Sequence, residues 1–154
     1  MIDKKCRKSL KYKEKTGRCC INSAYYHSLH DMKICKIESI DKLLKIYFKN
    51  GYVACAEPYR QVNGNISIEQ VDYEFSYAYL LSDYGDLGTF NGQKFALLDF
   101  LREYTNFSFE VIDENYGYNS VIYNGYLNLP EKENLIELTL TIYHFGNIIY
   151  ETEQ

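Results

Sequence analysis

The sequence predicts an α+β fold: an antiparallel sheet of hairpins, one helix over about residues 93–105 packed on a face, and a short N-terminal helix. Three observations point there. Favoured two-residue turns such as Asn50-Gly51 and Gly146-Asn147 punctuate the chain. Apolar and polar residues alternate with a period of two around those turns. After residue 40 a single segment carries helical spacing. With 154 residues, 46% of them hydrophobic and 25% charged, the chain fits one domain of ordinary composition.

The elements follow in order. Residues 1–18 are basic and poor in apolar side chains, so a solvated arm or weakly held helix is expected. Asn22-Ser23 offers an N-cap for a helix over about 24–33. In LLKIYFKNGYVACAE, Asn50-Gly51 predicts a type I′ hairpin pairing Phe48 with Val53 and Ile46 with Cys55. Leu44, Ile46 and Phe48 then share a buried face. From Ile66 to Leu81 a long strand is expected, with Val71, Tyr73, Phe75, Tyr77 and Tyr79 on one face. Residues 82–92 read as a Gly/Asp-rich loop. In 93–105, Phe95, Leu98 and Leu101 recur at three-residue steps, the helical stripe. A strand around Phe107–Val111, a turn over Asn115–Asn119 and a strand at about 120–128 follow. Last comes a hairpin, LIELTLTIYHFGNIIYETE, turning at Gly146-Asn147 and setting Tyr143 and Tyr150 on its polar face.

Tyrosine is over-represented at 17 residues. Together with Lys, Ile and Asn it has AT-rich codons, so a low-GC bacterium, phage or plasmid accounts for part of the excess. Charge is segregated. Residues 1–49 hold 13 of the 17 basic and 5 of the 21 acidic side chains, a balance of +8; residues 50–154 hold 4 and 16, a balance of −12. The organisation expected is a basic Cys/His-containing segment, 1–36, beside an acidic Tyr-rich body, 37–154, within one compact domain.

No run approaches 18 apolar residues, so no membrane-spanning helix is expected. The charged start from Met1 to Lys8 lacks the apolar core of a secretory signal. Five cysteines, an odd number with adjacent members, argue for a reducing compartment. The cytoplasm is expected, that of the host if the gene is phage-borne.

Chemistry-bearing constellations are few. Cys6, Cys19, Cys20, His27, His30 and Cys35 are candidate ligands for a structural zinc, because His27 and His30 would share a helix face with cysteines at either end. The spacing matches no standard finger, and the competing expectation is a chain without cofactor. Lys4, Lys5, Arg7, Lys8, Lys11, Lys13, Lys15 and Arg18, interleaved with Tyr12, form a candidate phosphate-binding segment. Asp83, Asp86, Asp113 and Glu114 lie in Gly- or Asn-bearing segments whose vocabulary is that of turns. No G-x-S-x-G, P-loop or dinucleotide motif occurs, and no enzymatic activity is expected.

What the sequence does offer is aromatic surface among carboxylates. Tyr73, Tyr77, Tyr79, Asp83, Tyr84, Asp86, Asp113, Glu114, Tyr116, Tyr118, Tyr123 and Tyr126 are the candidate contact residues. Tyrosine gives large contact area at low entropic cost, and carboxylates speed encounter with a basic surface. The reading is a non-enzymatic inhibitor module that occludes a basic protein such as a nuclease or nucleic-acid-handling complex. In size and charge it has the character of immunity proteins and phage anti-defence proteins, anti-CRISPR proteins among them, without a sequence match. The alternative is a nucleic-acid-binding protein using its basic segment. Exposed strand edges would also permit a dimer.

Overall fold

The computed structural model describes residues 11–14, 27–55, 58–83 and 92–152; for 11–14, 82–83 and 152 only the backbone is described. The chain runs through β1 (Lys11–Glu14), β2 (His27–Ser28), β3 (Met32–Ile40), β4 (Leu43–Phe48), β5 (Tyr52–Ala54), β6 (Arg60–Val62), β7 (Gly64–Ile68) and β8 (Val71–Asp83). It continues through β9 (Gln93–Ala96), α1 (Leu97–Glu103), β10 (Ser108–Gly117), β11 (Ser120–Asn128), β12 (Ile136–His144) and β13 (Ile148–Thr152).

The larger antiparallel sheet has the order β1-β13-β7-β4-β3-β10-β11-β12-β8-β9, and β2-β5-β6 form a second, small sheet. β7 and β8 are separated only by Glu69 and Gln70, and β12 and β13 only by Phe145–Asn147. The two links are hydrogen-bonded to each other: Glu69 N to Asn147 O at 2.9 Å, Phe145 N to Gln70 O at 3.0 Å and Gly146 N to Glu69 O at 3.1 Å. A two-stranded ribbon therefore turns a corner without breaking. One arm, β8/β12, joins β11; the other, β7/β13, joins β4. The sheet thus closes on itself through β4, β3, β10, β11 and this bent ribbon, which removes most free edges. Gly146 is needed at the corner, since a Cβ there would lie 2.6 Å from Glu69 O.

Inside the ring, alternate residues pack into one core. β12 contributes Ile136, Leu138, Leu140 and Ile142, β4 contributes Leu44, Ile46 and Phe48, and β11 contributes Val121, Tyr123 and Leu127. Leu97 and Phe100 of α1 are fully buried, and Phe100 is ringed by Phe95, Tyr104 and Phe107. Burying each of these two side chains contributes on the order of 1.5–3 kcal/mol.

The α+β expectation is overturned. The fold is all-β in character, with one short helix among the described residues. Of the predicted 93–105 helix, residues 93–96 join β8 as a strand, with Tyr79 opposite Lys94, and only seven residues are helical. The backbone of 93–96 is taken up by the ladder to β8, so the helix begins only at Leu97. The N-terminal helix fails as well: residues 24–26 lie outside the described ones, while 27–33 hold β2, a turn and the start of β3. The weakly held arm is replaced over 11–14 by β1, paired along β13 from Lys11↔Glu151 to Glu14↔Ile148.

Both predicted hairpins are corrected. Asn50-Gly51 does turn the chain, with Gly51 at φ 69°, yet β4 pairs with β3 and β7 while β5 pairs with β2 and β6. Tyr52 consequently points into the core. At the C-terminus, Gly146-Asn147 marks the corner, and β13 lies against β7 with Tyr150 inside.

Candidate functional site

The outer face of β8, β12, β11 and β10 collects most of the tyrosine and carboxylate surface. Register places side chains in rows across the strands. Tyr79, Thr139, Asn124 and Asp113 are successive neighbours, as are Tyr77, Thr141, Ile122 and Asn115. A third row runs Glu137, Tyr126, Glu110, Lys33. The rows are tied laterally, Thr139 Oγ1 donating to Asn124 Oδ1 at 2.9 Å and Lys33 Nζ pairing with Glu110 at 3.5 Å. Of these residue types, tyrosine is the one enriched at protein contact surfaces.

Two irregularities decide what faces out. On β8, Tyr77 pairs with Thr141 and Asp72 with Tyr143, so residues 73–76 bulge opposite Ile142 alone. Inside the bulge the fully buried Ser76 hydroxyl donates to Asp72 O at 2.7 Å and accepts from Tyr143 N at 2.9 Å. It replaces ladder bonds that the bulge interrupts. Tyr73 leans toward the core and donates to Leu43 O at 3.2 Å, whereas Phe75 turns outward, 58% exposed. On β10 a bulge between Val111 and Asp113 reverses the alternation, turning Asp113 out and Glu114 and Tyr116 in.

The predicted contact residues therefore divide. Tyr77, Tyr79, Asp113 and Tyr126 lie on the outer face, and Tyr118 stands 82% exposed in the β10–β11 turn. Tyr123 is wholly inside, and Glu114 and Tyr116 are turned inward, away from this face and only partly exposed. Asp83 is described by its backbone alone, in β8; Tyr84 and Asp86 lie outside the described residues. The candidate contact residues left out Thr139, Thr141, Glu137, Glu110, Phe75 and Phe145. Alternation set Thr139 and Thr141 on the polar face of the last hairpin and Phe75 on the aromatic strand face, but only the register across the bulges brings them beside Glu110 and Glu137.

Glu114 anchors a polar cluster at one end of the ring. Its carboxylate accepts from Leu29 N at 2.7 Å and from the Tyr116 hydroxyl at 3.2 Å, and Tyr116 shares a 2.7 Å hydrogen bond with Tyr150. The His27 ring stacks on Tyr150 at 4.5 Å and meets Tyr52 edge-on at 5.1 Å. Burial raises the Glu114 carboxyl and lifts Tyr116 well above the usual phenol range, and it lowers His27 to about 4. Both Glu114 oxygens are engaged within the chain. The cluster fastens the turn before β3 to β10.

The remaining predicted sites are described only in part. His27 and His30 are not on a helix: His30 Nδ1 lies 2.6 Å from Ile112 O, and Cys35 is exposed on β3. Cys6, Cys19 and Cys20 lie outside the described residues, among which no group of three or more His, Cys, Asp or Glu is placed to hold a metal ion. Of the basic segment, Lys11 and Lys13 belong to β1, and Lys4, Lys5, Arg7, Lys8, Lys15 and Arg18 lie outside the described residues. Among the described residues no helix is long and apolar enough to cross a membrane. A cavity of about 390 Å³ between α1 and β3 is lined by Ile37, Ser39, Leu98, Leu101 and Arg102, whose guanidinium is paired with Asp99 at 2.9 Å.

No protein-family model matches the chain, nor does any curated protein or any solved structure.

Proposed function

We propose that the protein is a non-enzymatic binding module that docks a basic protein on the outer face of β8, β12, β11 and β10 and acts by occluding it. The target class is a nuclease or another nucleic-acid-handling complex, as for immunity and anti-CRISPR-type inhibitors, and the setting is the cytoplasm. The observation that carries this reading is the rows of half-exposed Tyr77, Tyr79, Tyr126, Thr139 and Thr141 interleaved with Glu110, Asp113 and Glu137. A balance of −12 over residues 50–154 favours a cationic partner and fast, salt-sensitive encounter.

The test is affinity capture from the producing cell with three baits: wild type, a Tyr79→Ala/Glu137→Lys variant, and a control, Lys45→Glu, on β4. A basic protein retained by wild type and the control, released by salt and lost from the Tyr79/Glu137 variant supports docking on this face. Equal retention by all three baits contradicts it.

A further inference from the structure

We propose that Phe75, Tyr143 and Phe145 form a seat for one cationic side chain, an arginine or lysine of the basic partner; the inference rests on the outer face being the docking surface. Phe75 and Phe145 are 58% and 53% exposed, which is costly for phenylalanine unless something covers it. Tyr143 stands between them, its ring 6.1 Å from Phe75 at 61° and 5.3 Å from Phe145 at 87°. Rings so crossed present π faces in different directions at one place, and a π face attracts a cation through its quadrupole.

Charge points the same way. Asp72 is the cross-strand neighbour of Tyr143, and Glu74 lies in the bulge that begins next to it. Asp72 Oδ1 accepts from Glu74 N at 3.1 Å, and neither carboxylate has an ion-pair partner among the described residues. Glu69, at the adjoining corner, is held by Asn147 Nδ2 at 2.9 Å. One strand turn away, the chain shows how this aromatic surface treats an ammonium: Lys94 Nζ sits 3.8 Å above the Tyr77 ring and 5.6 Å from that of Tyr79. The partner's cation does at Phe75–Tyr143–Phe145 what Lys94 does there.

The test titrates the full chain with hexa-arginine and with hexa-citrulline, its uncharged isostere, following aromatic ¹³C–¹H resonances. The expected result is saturable shifts at the three rings with hexa-arginine alone. Phe75→Leu or Phe145→Leu, which keep apolar area but lose the ring, should each weaken binding about 3- to 10-fold. Asp72→Asn with Glu74→Gln should weaken it comparably. Equal binding of the citrulline peptide, no binding of hexa-arginine, or affinity unchanged in these variants overturns the seat. Loss confined to the Tyr79→Ala/Glu137→Lys variant overturns the seat but leaves the broader docking face standing; binding untouched by either set of variants counts against both.

Discussion

The Ser76 hydroxyl, fully buried, bridges Asp72 O and Tyr143 N at the point where β8 and β12 lose register. Removing it leaves two backbone groups unpaired. Ser76→Ala should therefore cost about 1–3 kcal/mol in urea unfolding, with the 73–76 bulge the first region to gain hydrogen exchange. His27 makes a prediction with a definite sign. Burial lowers its ring from 6.5 to about 4, so between those pH values the unfolded chain binds a proton that the folded one refuses. Stability should fall on acidification across that window, and His27→Phe, which keeps the stack on Tyr150, should remove up to about 3 kcal/mol of the fall. Glu114 works the other way: burial raises its carboxyl and favours the protonated form, so its contribution is present below the usual carboxylate range and is lost as pH rises above that range. Glu114→Gln should flatten that loss in the same urea–pH series. An unchanged pH profile in both variants would refute the assignment of these groups.

At the scale of elements, turns and faces were legible but pairing was not. The sequence set Leu44, Ile46 and Phe48 on one buried face and Ile136, Leu138, Leu140 and Ile142 on another, as found, because alternation reports burial directly. It did not reveal that Asn50-Gly51 and Gly146-Asn147 hand the chain from one strand pair to another, since turn chemistry fixes a local bend and not the partner beyond it. The bulges of β8 and β10 were hidden for a similar reason: an odd number of extra residues, three on β8 and one on β10, reverses every later side chain, and Glu114 and Tyr116 moved inward as a result. Gly51 gives the sharpest test at this scale. Its φ is positive and a Cβ would lie 1.7 Å from Val62 O, so Gly51→Ala should destabilise the fold by more than about 3 kcal/mol in thermal unfolding. A near-neutral result would mean the β4–β5 crossing is wrongly drawn.

For the whole molecule, ring closure leaves few edges, and β1 covers the edge of β13. Deleting residues 1–14 should leave the ring intact but uncover that edge, giving concentration-dependent self-association in light scattering; a strictly monomeric deletion variant would argue against β1 as the cover. The candidate surface was half legible. Tyr77 and Tyr79 were named from an aromatic strand face and Tyr126 from the tyrosines around a turn, while the threonine and carboxylate rows required the register. Amide hydrogen exchange of the protein bound to its captured partner bears most directly on what this surface is for. The account predicts slowed exchange across 71–80, 120–126 and 137–145, reversed by salt. A footprint over β3, β4 and α1 instead, with the β8–β12 face unprotected, would contradict it.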